Sequence, residues 1–323
     1  MASFNRRSAI RIGLGGLSGA LFSSNAYSGP QQIGILTGPV TGSYYSLGRV
    51  LANALTTQNR LISAISSNGA FSNVGHVGAL LADTAFCQAD LAFWAYTGTE
   101  LFSTLKNADL RLIANCYTET VHILCRKALN LADASGLKGR KVAVYATNDG
   151  ELRNAILILA AHGLKPSDVT PQAMAPSVCI QQFVSGAVDA VFITAAQRSK
   201  EVTALAKSGF AFNLVPLDAS AREHLIKTSP YFSSDVVGAD TYFTSPPVLA
   251  VGIGCQWLTT TDRAEDLVFD LTTGLWNDQT RIELLAGFPN GQAVIKERAT
   301  QGTDGVPLHL GAQRYYKQEG ISK

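Results

Sequence analysis

Residues 33–55 read IGILTGPVTGSYYSLGRVLANAL, and their punctuation sets the reading of the whole chain. A short apolar run (33–36) reads as a strand. A loop rich in Gly and Thr follows, and then an amphipathic helix. Gly38 and Gly42 carry no Cβ, so the backbone there can approach another group closely. Ser43 or Thr41 has the side-chain oxygen needed to cap the helix. The free N–H groups of the first turn and the positive end of the helix dipole then face the loop, a place suited to an anionic or strongly polar group. Tyr44 and Tyr45 add flat apolar walls with hydroxyl tips. The alternative is that the glycines only permit a tight strand-to-helix turn. Nucleotide loops are excluded: Ser43 stands where a phosphate-binding loop needs Lys, and the glycines lie four apart rather than in a dinucleotide fingerprint.

The chain of 323 residues suits two domains, and 46% apolar with 15% charged residues indicates globular folding. Its formal charge is +2, from 26 Lys/Arg and 24 Asp/Glu. Residues 1–28 have the design of an export signal, with Arg6, Arg7 and Arg11 before a weakly apolar middle. Small residues suited to cleavage stand near Ala26 to Ser28. The Arg6-Arg7 pair resembles a twin-arginine signal, although Ala9 stands where Phe is common. Removing the segment takes three cations and leaves 23 against 24, or −1. A near-neutral chain without a basic cluster gives no support for nucleic-acid binding. No later apolar run is long enough to span a bilayer, so the expected location is the periplasm. The five cysteines (Cys87, Cys116, Cys125, Cys179, Cys255) form no CxxC pair and read as small core residues. Neither a cofactor nor a metal is expected.

Along the chain, strand–loop–helix units recur. Strands are expected at 61–67, 89–96, 141–145, 169–173 and 188–194, with one long extended stretch or two strands in tandem at 110–127. Helices are expected after the NGAFSN turn (68–73) to about 83 and over 152–162, 176–185 and 197–209. Residues 230–247 read as irregular, 248–257 as a long apolar strand, and 263–277 as a helix. This alternation argues for an α/β fold with parallel sheets and helices on both faces. Ligands of such folds sit where the carboxyl ends of strands meet helix N-termini. Four loops qualify: TGPVTGSYY, NGAFSN, ATNDGE and ITAAQR.

Several stretches together resemble one family: TGPVTGSYYSLGRVLA, NGAFSN, DLAF (90–93), LKGRKVAV (137–144), GAVDAVFITAA (186–196), SPYF (229–232) and PLHLGAQRYYKQEG (307–320). The chain resembles the TAXI-type (TRAP-associated extracytoplasmic immunogenic) solute-binding receptors of TRAP transporters. The resemblance implies a periplasmic-binding-protein-like fold of type II, with two α/β lobes joined by hinge strands near 118–125 and 246–252. Lobe 1 would comprise 29–120 and 249–323, and lobe 2 would comprise 121–248, with the ligand cleft between them. It implies a monomer, not an enzyme, that takes a small polar solute such as glutamate or a small organic acid. Membrane permease subunits would be its partners. A sensor role and a pyrimidine-like ligand are the alternatives.

Departures from the family pattern bear on the ligand. Asn68, Gly69 and Ala70 stand where two glycines and a serine are common. Tyr145, Asn148, Asp149 and Glu151 replace a glycine- and serine-rich run, and carboxylates there would repel an anion. Ala95, Tyr96 and Thr97, beside Trp94, replace a Gln/Ser/Asp cluster. Arg198 replaces a proline and could supply a cation. The candidate ligand-binding residues are therefore Thr41, Gly42, Ser43, Tyr44 and Tyr45; Asn68, Gly69 and Asn73; Trp94 and Tyr96; Asn148, Asp149 and Gly150; and Thr194, Ala195 and Arg198. Asn68 and Asn73 serve either a ligand or a local turn and cap. Trp94 and Tyr96, read on one strand face, are either cleft walls or core.

Overall fold

β1 (Gln31–Leu36) and α1 (Ser43–Leu55) form the expected opening unit in the computed structural model, which describes residues 29–145, 149–242, 246–302 and 304–321. Leu47, Leu51 and Leu55, spaced one turn apart, bury one face of α1 on the sheet. Gly48 lies against the Thr37 side chain, where a Cβ would collide. The N-cap is Gly42 (φ −86°), with no side-chain cap bond, so the expected capping by Ser43 or Thr41 is not what the fold uses.

β2 (Arg60–Ile65), α2 (Ala70–Gly78) and β3 (Thr84–Gln88) follow, and β1 pairs parallel with both strands. The expected strand at 89–96 is instead a helix, α3 (Ala89–Thr97). ADLAFWAY is apolar on nearly every face, so no period separates a buried helix from a buried strand. Gly98, left-handed at φ 72°, ends α3 by bonding its N–H to the Trp94 carbonyl at 2.8 Å. Trp94 and Tyr96 therefore do not share a face. At about 100° per helical residue they point roughly 200° apart.

The long extended stretch is a single strand, β4 (Leu110–Arg126). The second set of units is β5 (Val142–Tyr145), α4 (Asp149–Ala161), β6 (Gln172–Met174), α5 (Pro176–Ser185), β7 (Ala190–Ala195) and α6 (Lys200–Lys207). β8 (Phe212–Leu214), α7 (Ala219–Thr228) and β9 (Phe232–Val237) complete it. β9 crosses the region read as irregular, because its polar Ser233, Ser234 and Asp235 conceal a strand pattern. β10 (Val248–Thr260), α8 (Glu265–Leu275), α9 (Asp278–Gly287) and α10 (Leu310–Gln318) close the described chain.

The sheet runs β2-β1-β3-β10-β4-β7-β5-β6, with β8 on β4 and β9 on β10. Parallel strands lie at each end, and the long antiparallel pair β4/β10 links them. Gly252 stands opposite Thr120 near the point where β10 changes partner from β9 to β3. A Cβ on Gly252 would meet the Thr118 side chain, so only glycine lets the two strands approach there. One core gathers Ile35, Leu47, Phe86, Tyr117 and Trp257, and another gathers Phe183, Val191, Ile193 and Tyr242. All five cysteines are buried and unbridged. No helix of the described residues is long and apolar enough to cross a membrane.

Candidate functional site

Buried polar side chains mark the site more clearly than the loops do, because a charge leaves water only where something compensates it. Asp90 and Glu119 are 0% and 8% exposed; Asp90 lies in the apolar run ADLAFW and Glu119 in the mixed stretch ANCYTETV. Asp90 opens α3 and accepts from the Leu91 N–H at 2.8 Å. Its other oxygen accepts from Asn154 Nδ2, on α4, at 2.5 Å. Glu119, on β4, accepts from Gln88 Nε2 at 2.9 Å and from the Tyr117 hydroxyl at 3.3 Å. Glu151, on the first turns of α4, is also buried, and its charge acts on Glu119. A second bond between the same parts of the fold lies at the rim, where Arg153 meets Glu100 at 2.8 Å.

Burial dominates the electrostatics. It pushes the Glu119 carboxyl up to about 8, against the bond from Gln88 and helped by the charges of Glu151 and Asp90. It raises Asp90 to about 6, opposed by the bonds from Asn154 and the Leu91 N–H. No Lys or Arg of the described residues forms an ion pair with Asp90 or Glu119. The Tyr44 ring packs on Phe86 at 5.9 Å. Its buried hydroxyl feels Glu119 and makes no hydrogen bond with the described residues. Asn154 Oδ1 is likewise buried without a partner. The cluster thus offers an excess of acceptors, with Tyr44 as an aromatic wall.

Of the residues expected from sequence, Tyr44 and Gly150 lie on the elements that frame this cluster. Thr41, Ser43 and Asn68 are exposed, while Gly42, Tyr45 and Gly69 are half-buried. Asn73 is fully buried, and its amide donates to the Thr37 and Phe86 carbonyls at 2.7 and 2.8 Å. Its donors are therefore committed to holding β1 and β3 together. Trp94 is core, packed edge-on against Tyr231 at 5.6 Å, and Tyr96 is half-buried on another side of α3. Asn148 and the Asp149 side chain lie outside the described residues; Asp149 opens α4. Thr194 and Ala195 end β7 beside Val121 and Thr120. Arg198 is exposed at φ 63°, and its N–H donates to the Tyr242 hydroxyl at 2.8 Å.

Sequence reasoning weighted the loops and missed Asp90, Glu119 and Asn154. The available signal, for Asp90 alone, was a carboxylate inside an otherwise apolar run. A small cavity is bordered by Ala89, Asn115, Thr118, Tyr231 and Gln301, two of which are the chain neighbours of Asp90 and Glu119.

A family model described as the NMT1-like family matches residues 35–320. Among solved structures, the fold is similar to the periplasmic aliphatic sulphonate binding protein SsuA from Escherichia coli. That match has TM-score 0.52 and 15% identity, covering 91% of this chain and 94% of that one. A TctC solute binding protein from Polaromonas matches with TM-score 0.53 and 14% identity over 83% and 95% of the two chains. MatC from Rhodopseudomonas palustris, solved with bound malate, matches with TM-score 0.50 and 14% identity over 90% and 96%. At such identities the likeness is one of fold.

Proposed function

The chain belongs to the NMT1-like family, and we propose that it is an extracytoplasmic solute-binding receptor that captures a small polar solute by lobe closure. The observation that carries this reading is the buried polar cluster of Asp90, Glu119 and Asn154. It lies where α3 and β4 meet α4, at the carboxyl ends of β3 and β5. Residues 29–120 and 249–323 would form one lobe and 121–248 the other, joined where β4 and β10 cross near Thr120 and Gly252. The Asp90–Asn154 and Glu100–Arg153 bonds then span the lobes, as contacts of a closed state. A solute touching both lobes makes those contacts only when the cleft is shut, so it shifts the population toward closure.

The resemblance in TGPVTGSYY and PLHLGAQRYY supports the TAXI branch, and with it delivery of the solute to the permease subunits of a TRAP transporter. The Arg6-Arg7 segment, outside the described residues, supports export to the periplasm. The structural neighbours SsuA and TctC are binding proteins, which favours a receptor over an enzyme.

A thermal-shift screen of the purified protein tests the reading, against amino acids, amines, dicarboxylates, sulfonates and pyrimidines. A solute at 100 times its Kd stabilises the fold by about 2.7 kcal/mol, a plain rise in Tm. Folded protein that no class of solute stabilises would contradict the receptor reading.

A further inference from the structure

We infer that the solute presents a protonated amine to Asp90 and Glu119; this rests on the receptor reading and names the chemistry of the same site. The first argument is the inventory of donors and acceptors. An ammonium group has three N–H donors and no acceptor, whereas ionised carboxylates only accept. The Asn154 side chain is 1% exposed and bonded to Asp90 through Nδ2, which holds its unpartnered Oδ1 at the same spot. The buried Tyr44 hydroxyl, near Glu119, also has an oxygen free to accept. An amine supplies the donors that this set lacks. An anionic group would instead bring further acceptors beside the Asp90 carboxylate and would hold the Glu119 proton in place.

The second argument is charge. Asp90 and Glu119 are buried without a cationic side chain of the described residues paired to either. Burial alone keeps their protons on, to about 6 and about 8. A cation at this position offsets that cost by favouring the carboxylates. The other titratable groups facing Glu119 are Glu151, Tyr117, Tyr44, Cys87 and Cys255. Burial raises the last four, so they stay neutral across the working range. Amine binding therefore expels a proton from Glu119 below about pH 8, and affinity rises with pH until that point.

Isothermal titration of the full chain with matched probes tests the inference. Putrescine is set beside 1,4-butanediol, and L-glutamate beside L-2-hydroxyglutarate, with agmatine, L-malate and ethanesulfonate added. The expected result is that an amine binds at least 100-fold tighter than its hydroxyl analogue. Its Kd tightens close to tenfold between pH 6.5 and 7.5 and levels off above about pH 8. Glu119→Gln, which keeps the shape of the protonated acid, should weaken the amine tenfold or more and flatten the pH dependence. Preference for malate, ethanesulfonate or the hydroxyl analogues would overturn the inference and leave the receptor standing. An unchanged amine Kd in the folded Glu119→Gln variant would also overturn it. Folded protein that binds none of the probes, and that no class in the thermal screen stabilises, would remove both.

Discussion

Asn154 on α4 donates a 2.5 Å hydrogen bond to Asp90 on α3, joining two buried side chains 64 positions apart across the proposed cleft. Asn154→Ala removes the side-chain donor and leaves Asp90 buried with backbone N–H partners alone. The expected cost is about 1–3 kcal/mol in urea unfolding, typical of a buried acceptor losing its partner. Solute affinity should fall as well, because the closed state loses a contact that holds it.

Glu119 gives the fold a pH dependence of known sign. Its carboxyl titrates near 8 in the folded chain against 4.5 ordinarily, so the folded form keeps a proton that the unfolded chain releases. The stability it contributes is intact below about pH 4.5 and is lost as pH rises through about 8. Glu119→Gln abolishes that loss, and the solute-free variant should be more stable than the parent at pH 8 by roughly 2 kcal/mol or more. Melting curves from pH 5 to 9 read this directly; parallel curves for the two proteins would contradict it.

Asn73 separates a structural role from a binding one. Its amide satisfies the Thr37 and Phe86 carbonyls at the ends of β1 and β3. Asn73→Ala should therefore cost roughly 2–4 kcal/mol in urea unfolding, two buried bonds at once. The intrinsic solute Kd of the folded fraction should change little. A large loss of affinity without loss of stability would make Asn73 a ligand contact instead.

Tyr242 fixes the turn that carries Arg198. Its hydroxyl accepts from the Arg198 N–H at 2.8 Å and lies 3.0 Å from His122 Nε2. Burial lowers His122 to about 4, so the ring is neutral near pH 7 and its Nε2 accepts from the hydroxyl. Tyr242→Phe should lose about 1–3 kcal/mol, measured by urea unfolding at pH 7. It should also speed amide exchange at Arg198.

The opening unit was legible because Gly38, Gly42 and the apolar 33–36 run punctuate it without ambiguity. β4 was legible as extended chain because its 17 residues carry no turn signal, although the sequence left one strand or two open. α3 was not, since ADLAFWAY has no polar face to give a period, and the shared-face reading of Trp94 and Tyr96 failed with it. β9 was hidden by Ser233, Ser234 and Asp235, whose polarity suits an edge strand as well as a loop. The site was legible only at its edge. The loop pointed to Tyr44, which borders the proposed cluster, whereas Asp90, Glu119 and Asn154 meet through strand order and helix packing that no local pattern encodes. The lone signal was Asp90, a carboxylate amid apolar residues, which reads equally well as a cap or a strand end.

Amide hydrogen exchange, with and without the solute that gives the largest thermal shift, tests the central claim that one ligand is held between both parts of the fold. The account expects slower exchange on binding at 89–97 and 149–161 together, since α3 and α4 close on the same molecule. Protection confined to one of these helices, or found elsewhere and absent from both, would contradict it.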